Sequence, residues 1–290
     1  MVAVETLEKI ASIDKPEICA RLFQDMDLQT PEGAPGIEEC TLLEIPAPGN
    51  AKLTARIFEG NPGDPHIIYF PAEYENLSTL LLLGQGFKKL GFTFASLDYR
   101  GTGLSTGKLS LSDIFKDADT FYAAVKTWMK DTGREGGLVI MGRSLGSAIA
   151  LDLAERNEKE LLCLIMESAF NLSRDFLLRK GIAENLVPEG PVFENRKKMS
   201  GFTKPVLFIH SPRDQIQTLT EVEWLVVESR SKATQFQIAP SGTREDLATQ
   251  VGDIYLEFVH QYVNLRRGVR PKLRKHLRKG FKKTQKKQVI

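Results

Sequence analysis

The chain has 290 residues, 42% hydrophobic and 26% charged, with 39 Lys/Arg against 37 Asp/Glu. Such proportions describe a globular protein able to bury a sizeable core without metal or disulfide staples. Three cysteines, Cys19, Cys40 and Cys163, lack paired spacing, which argues against a disulfide framework or zinc site and leads us to expect a reducing, cytoplasmic setting.

The near-neutral total hides a partition. Residues 265–290 hold twelve Lys/Arg and no Asp/Glu, so residues 1–264 carry 27 basic and 37 acidic side chains, a net charge of −10. No charged, apolar, cleavable leader is visible before residue 35. The longest aliphatic cluster, Leu80–Leu83, is far too short to span a bilayer.

In chain order, residues 1–36 read as a mixed extension ending in a Pro/Gly cluster, Pro31 to Gly36. Two strands follow, Cys40–Ile45 and Leu53–Phe58, joined by a turn at Pro48-Gly49-Asn50. Apolar runs suited to buried parallel strands then recur at His66–Phe70, Phe92–Leu97, Leu138–Met141, Leu161–Met166, Pro205–Ile209 and Phe236–Ala239. Helical stretches separate them. The clearest is Leu111–Met129, apolar at helical period, with Ser110 and Asp113 spaced as a capping box. Another stripe comprises Leu247, Val251, Ile254, Tyr255, Phe258 and Tyr262.

This alternation predicts an α/β fold: a mostly parallel sheet covered on both faces, with an antiparallel pair at one edge. Between the expected sixth and seventh strands, residues 168–203 are long for a connection and read as a cap over a site. The alternative is an ordinary crossover helix plus a loop. One α/β domain over about residues 37–264 is expected.

The chemistry centres on Gly142-Arg143-Ser144-Leu145-Gly146, which follows the run Leu138–Met141 and precedes the small-residue stretch Ser147-Ala148-Ile149-Ala150. G-x-S-x-G between a strand and a helix is the sharp turn that lifts a serine hydroxyl above a sheet. The N–H after the serine, that of Leu145, points to where an oxyanion would form. Serine attack further requires a base, a group orienting that base, and a second oxyanion donor.

Three segments, over about residues 53–263, resemble the α/β-hydrolase superfamily, in particular its bacterial serine-hydrolase and serine aminopeptidase-like members. They are Asp98-Tyr99-Arg100-Gly101-Thr102-Gly103-Leu104-Ser105-Thr106-Gly107, the Ser144 turn, and Ile209-His210-Ser211-Pro212-Arg213-Asp214. The resemblance implies an α/β-hydrolase fold, Ser144 as nucleophile, Asp214 as acid, no cofactor or metal, and a small ester, amide or acyl ligand.

Two places depart from the pattern. Where such proteins carry the catalytic histidine, this chain has Thr243 and Arg244, neither of them a base at neutral pH. Where they carry His-Gly-x-Gly, it has Pro71-Ala72-Glu73-Tyr74-Glu75. Pro71 has no N–H, which leaves Ala72 N–H as the candidate second donor, and Glu73 and Glu75 bring negative charge to the loop.

The four histidines, His66, His210, His260 and His276, offer no evident replacement. His66 begins a strand at the end away from the turn, and His276 lies in the basic tail. His260 is sixteen residues beyond Arg244, roughly 24 Å along a continuous helix, and is expected at the surface. His210 is near the site, with a structural role favoured over that of a base. Glu167, at a strand's C-terminal end, is read as a loop anchor, with an alternative acid as the second option. Asp98 and Arg100 are expected to tie down the glycine-rich loop.

Two functions remain open at this level. One is a serine hydrolase whose triad catalysis is weak or lost; the other is a non-catalytic protein binding a ligand or partner in the old pocket. In the tail, Lys272–Lys283 forms a candidate basic amphipathic helix for an anionic membrane surface or an acidic partner, against the alternative of a solvated extension. Nucleic acid is disfavoured, since Phe281 is the tail's only aromatic residue.

Overall fold

The computed structural model describes residues 2, 4–26, 40–239, 242–245 and 252–269. Eight strands form one sheet: β1 (Thr41–Ala47), β2 (Ala51–Phe58), β3 (His66–Phe70), β4 (Thr93–Leu97), β5 (Leu138–Arg143), β6 (Leu161–Glu167), β7 (Val206–His210) and β8 (Thr234–Ile238). Their spatial order is β1-β2-β4-β3-β5-β6-β7-β8. β2 runs antiparallel to both β1 and β4, and every other neighbouring pair is parallel. The sheet is therefore α/β-hydrolase-like, with its antiparallel pair at one edge. Gly49 and Asn50 turn the β1–β2 hairpin with positive φ, 74° and 56°, which glycine and asparagine tolerate best.

Alternation along the strands separates two cores. Ile68, Phe70 and Ile140 face one side, with α4 (Leu111–Asp131) and α5 (Leu145–Arg156). Ile67, Tyr69, Val139 and Met141 face the other, with α3 (Leu81–Lys89) and the last described helix, α9 (Asp253–Arg266). Helix α8 (Leu219–Glu228) starts with a complete capping box between Thr218 and Glu221.

The first residues join this architecture. Helices α1 (Val4–Ala11) and α2 (Pro16–Leu22) bury Ile10, Ile13, Ile18 and Leu22 in the same core as α4. Between them, the Asp14 carboxylate accepts from Leu111 N at 2.9 Å, Ser112 N at 3.1 Å and Ser110 Oγ at 2.8 Å. The capping box expected at Ser110 and Asp113 thus forms by half. Ser110 Oγ does accept from Asp113 N at 3.2 Å, while Asp14 takes the neighbouring free amides of the first turn.

The connection from β6 to β7 carries α6 (Ser173–Arg179) and α7 (Asn195–Gly201). Phe170 stacks on Phe176 with ring centroids 4.3 Å apart and meets Phe193 edge-on at 5.5 Å. These three rings anchor the segment to the first core.

Two expectations change on α9. Its buried face is Tyr255, Val259, Tyr262 and Val263, while Ile254 is 61% exposed. The helix is rotated relative to the stripe read from sequence, whose Leu247 and Val251 lie outside the described residues. His260 is half-buried rather than on the surface. Its ring lies 5.0 Å from that of Phe92, and Nε2 meets Asn264 Nδ2 at 2.9 Å. Among the described residues no helix is long and apolar enough to cross a membrane. His276 and the basic stretch Lys272–Lys283 lie outside the described residues.

Candidate functional site

β5 ends at Arg143 and α5 begins at Leu145, leaving Ser144 to make the whole turn at φ 51°, ψ −119°. Such a left-handed backbone is costly for a residue with a Cβ. Surrounding contacts hold it: Ser144 N donates to Glu167 O at 2.9 Å and Ser147 N to Ser144 O at 2.9 Å. The flanking glycines are steric necessities. A Cβ on Gly142 would stand 2.1 Å from Gly146 O, and one on Gly146 would stand 2.1 Å from Phe70 O. Because both obstacles are backbone, Gly142→Ala is expected to lower unfolding free energy by about 3 kcal/mol or more, measurable by urea denaturation. An unchanged midpoint would contradict this packing.

Of the two residues at which the resemblance expects a base, Arg244 is the one that lies against Ser144. Thr243 is exposed, whereas Arg244 is 1% exposed and donates from Nη2 to Ser144 Oγ at 2.8 Å. The same Nη2 is ion-paired with Glu73 Oε1. The guanidinium also lies over the Tyr74 ring, 4.8 Å from its centroid, and Tyr74 Oη donates to Arg244 O at 2.7 Å. Burial works against the charge, but Glu73 and other nearby acidic groups outweigh it and raise the Arg244 pKa.

Asp214 stands within electrostatic reach of Arg244. Its Oδ1 accepts from Ile216 N at 2.9 Å and Gln217 N at 2.8 Å, and its buried Oδ2 has no hydrogen-bond partner among the described residues. Burial pushes its pKa up. His210 is fully buried and neither ring nitrogen is hydrogen-bonded among the described residues. Burial pushes its pKa down, against the pull of Asp214. No imidazole is hydrogen-bonded to Ser144 among the described residues.

Both expected oxyanion donors are occupied by carboxylates of the rebuilt loop. The tight turn Ala72–Glu75, closed by Glu75 N to Ala72 O at 3.0 Å, points Glu73 and Glu75 back into the protein. Leu145 N donates to Glu73 Oε2 at 3.3 Å, and Ala72 N donates to Glu75 Oε2 at 2.8 Å. Lys180 Nζ adds a second cation 3.3 Å from Glu73 Oε1. Burial alone would raise the Glu73 pKa, but Arg244 and Lys180 outweigh it and hold the carboxyl at about 2. The pair's contribution to stability is therefore whole above the ordinary carboxylate value and is lost as pH falls towards 2.

Glu75 belongs to a second buried network. Arg143 pairs through Nη1 with Glu75 Oε1 and through Nε with Glu167 Oε1 at 2.8 Å. Tyr69 Oη donates to Glu75 Oε2 at 2.9 Å and Tyr255 Oη to Glu167 Oε2 at 2.6 Å. Burial pushes the Glu167 pKa up, and Arg143 with the Tyr255 hydroxyl only partly offsets it. Glu167 is thus committed to Arg143 and Tyr255. A cavity of about 390 Å³, walled partly by Tyr74, Leu80, Leu83, Arg143 and Leu256, adjoins this network and does not reach Ser144. Asp98 ties two loops, accepting from Leu77 N and Leu104 N, both at 2.8 Å. Arg100 clamps Asp117 through Nε at 2.8 Å and Nη2 at 2.6 Å.

Ser144, Leu145, Ala72, Asp214 and Arg244 are therefore gathered at one end of the sheet. Lys180, Arg143 and Tyr255 were not singled out from sequence. The available signal was charge: two acids replacing the expected glycines in residues 71–75 require buried cationic partners.

A family model described as serine aminopeptidase, S33 matches residues 73–182. The chain is similar to Protein bem46 of Schizosaccharomyces pombe, 26% identical over 207 residues covering 69% of this chain and 67% of that protein. It is also 27% identical over 222 residues to alpha/beta hydrolase domain-containing protein WAV2 of Arabidopsis thaliana, covering 68% of this chain and 70% of that one. Among solved structures, an esterase of Pyrococcus furiosus superposes with a TM-score of 0.65 at 16% identity, covering 78% of this chain and 91% of the esterase. Together with this strand order and the Ser144 turn, these likenesses support one assignment for the chain, the α/β-hydrolase superfamily.

Proposed function

We propose that this chain is a ligand-binding member of its superfamily in which triad catalysis has been lost. The observation that carries the reading is the Arg244 hydrogen bond to Ser144 Oγ. A general base must offer a lone pair, and a guanidinium offers only N–H donors. The charge beside Ser144 therefore holds the hydroxyl in place and takes no proton from it. The loop supports the same reading, because Leu145 N–H and Ala72 N–H are committed to Glu73 and Glu75. A substrate carbonyl would have to displace a charged carboxylate before receiving either hydrogen bond. Ser144 and Asp214 are then inherited positions in a recognition site for a small ligand.

The test is labelling by a fluorophosphonate probe, with Ser144→Ala as control. Labelling of the intact protein is expected to run at least ~10⁴-fold slower than for an active serine hydrolase, the order of loss seen on disabling a triad. Rapid labelling that disappears in Ser144→Ala would end the non-catalytic reading.

A further inference from the structure

Glu73 sits in the protein as a bound ligand would. Its two oxygens are received by three donors from separate parts of the chain: Leu145 N–H at the start of α5, the Arg244 guanidinium, and the Lys180 ammonium beyond α6. Lys180 is 6% exposed, and Arg244 Nη1 is buried with no hydrogen-bond partner among the described residues. The pocket therefore holds two buried cations around one internal carboxylate and keeps a donor to spare. The buried, unpartnered Asp214 Oδ2 adds an unused acceptor nearby.

We propose that this is a carboxylate-binding site held shut by Glu73, and that its ligand is a small monocarboxylate exchanging with that side chain. This rests on the non-catalytic reading, since a working hydrolase would need the same N–H donors for an oxyanion. Glu73 fixes the ligand chemistry by example: a planar, singly charged anion with one oxygen received by two cations and the other by a backbone N–H. Lys180 supplies the way in. Its Nζ meets Glu73 on the inside and, at 3.2 Å, Asp25, whose side chain is 57% exposed. Arg21 Nε donates to the Lys180 carbonyl at 2.9 Å, so the last turn of α2 and Asp25 lie against the outer side of Lys180. A carboxylate arriving there meets the ammonium first, and Glu73 is released to rejoin water.

Two measurements test this. The full-length protein, labelled with ¹⁵N, is titrated with propionate, which reproduces the whole Glu73 side chain from Cβ outward. The Leu145 amide resonance is expected to shift saturably, and the shift is expected to vanish in Lys180→Met. No change at Leu145 up to high propionate overturns the proposal. In Glu73→Ala the deleted atoms amount to acetate. The melting temperature of this variant is expected to rise by roughly 5–10 °C at about 100-fold excess over Kd. An equal response to chloride or inorganic phosphate overturns the carboxylate assignment. If Glu73→Ala does not fold, the propionate titration of the unmodified chain decides alone. Fluorophosphonate labelling is read separately, so a labelled Ser144 would sink the non-catalytic reading while leaving the titration to judge the anion site.

Discussion

The double variant Arg244→His with Glu73→Gly is expected to gain Ser144-dependent ester hydrolysis and fluorophosphonate labelling of at least ~10²-fold over the unmodified chain. A positioned general base contributes about 10²–10⁴-fold, and one recovered oxyanion donor about 10²–10³-fold. Arg244 already places its side chain at Ser144 Oγ, and Asp214 Oδ2, unpartnered among the described residues, is available to orient an imidazole. Glycine at residue 73 frees Leu145 N–H. The full product of the two factors is not expected, because Ala72 N–H stays with Glu75. Arg244→His alone is expected to gain far less, since Glu73 would still fill the anion position. The measurement is p-nitrophenyl ester turnover with Ser144→Ala in the same background. A folded double variant no faster than the parent would show that residue 244 is not the vacated base position.

The largest loss of stability is expected from Arg143→Met. This side chain is buried between Glu75 and Glu167. Removing it leaves two carboxylates facing each other without a cation, and breaking a buried pair costs about 3–5 kcal/mol. The deficit has a predictable pH dependence. The folded pKa of Glu167 is already raised by burial, and losing Arg143 raises it further. A raised folded pKa gives stability that is present below the unfolded value and lost as pH rises through the folded one. The variant should therefore lie closest to the parent in mild acid and fall furthest behind it at neutral pH and above. Urea midpoints compared across that range measure the effect. A constant difference would mean that the cost is lost packing rather than uncompensated charge.

Most of the fold was legible because hydrophobic runs and glycines act locally. Strands β3 to β8 fall within two residues of the apolar runs that announce them, and the turn at Ser144 follows from two glycines whose missing Cβ atoms the backbone requires. The site was legible by absence: no histidine at residues 243–244 and no glycine at 71–75. Its resolution was not, because long-range charge pairing leaves no periodic trace. Arg244 reaches Glu73 across 171 positions, and the partner Lys180 stands in a segment read as a cap or as a crossover helix plus a loop. The face of α9 was misassigned for a related reason. Ile254 and Phe258 extend an apolar stripe as well as Val259 does, and only packing on the sheet chooses between them.

The junction at Glu73 also constrains how this chain can diverge. Losing the acid strands two interior cations; losing Arg244 strands the acid beside a lone ammonium. Exchanging Glu73 alone leaves Arg244 and Lys180 as two interior cations without their shared acid, so a change at residue 73 is favoured only together with a change at 180 or 244. Under the proposed reading, a line that exchanged Glu73 first would cross that doubly cationic intermediate, whereas one that exchanged Arg244 first would keep Glu73 paired with Lys180, so the order of the two changes decides which path is open.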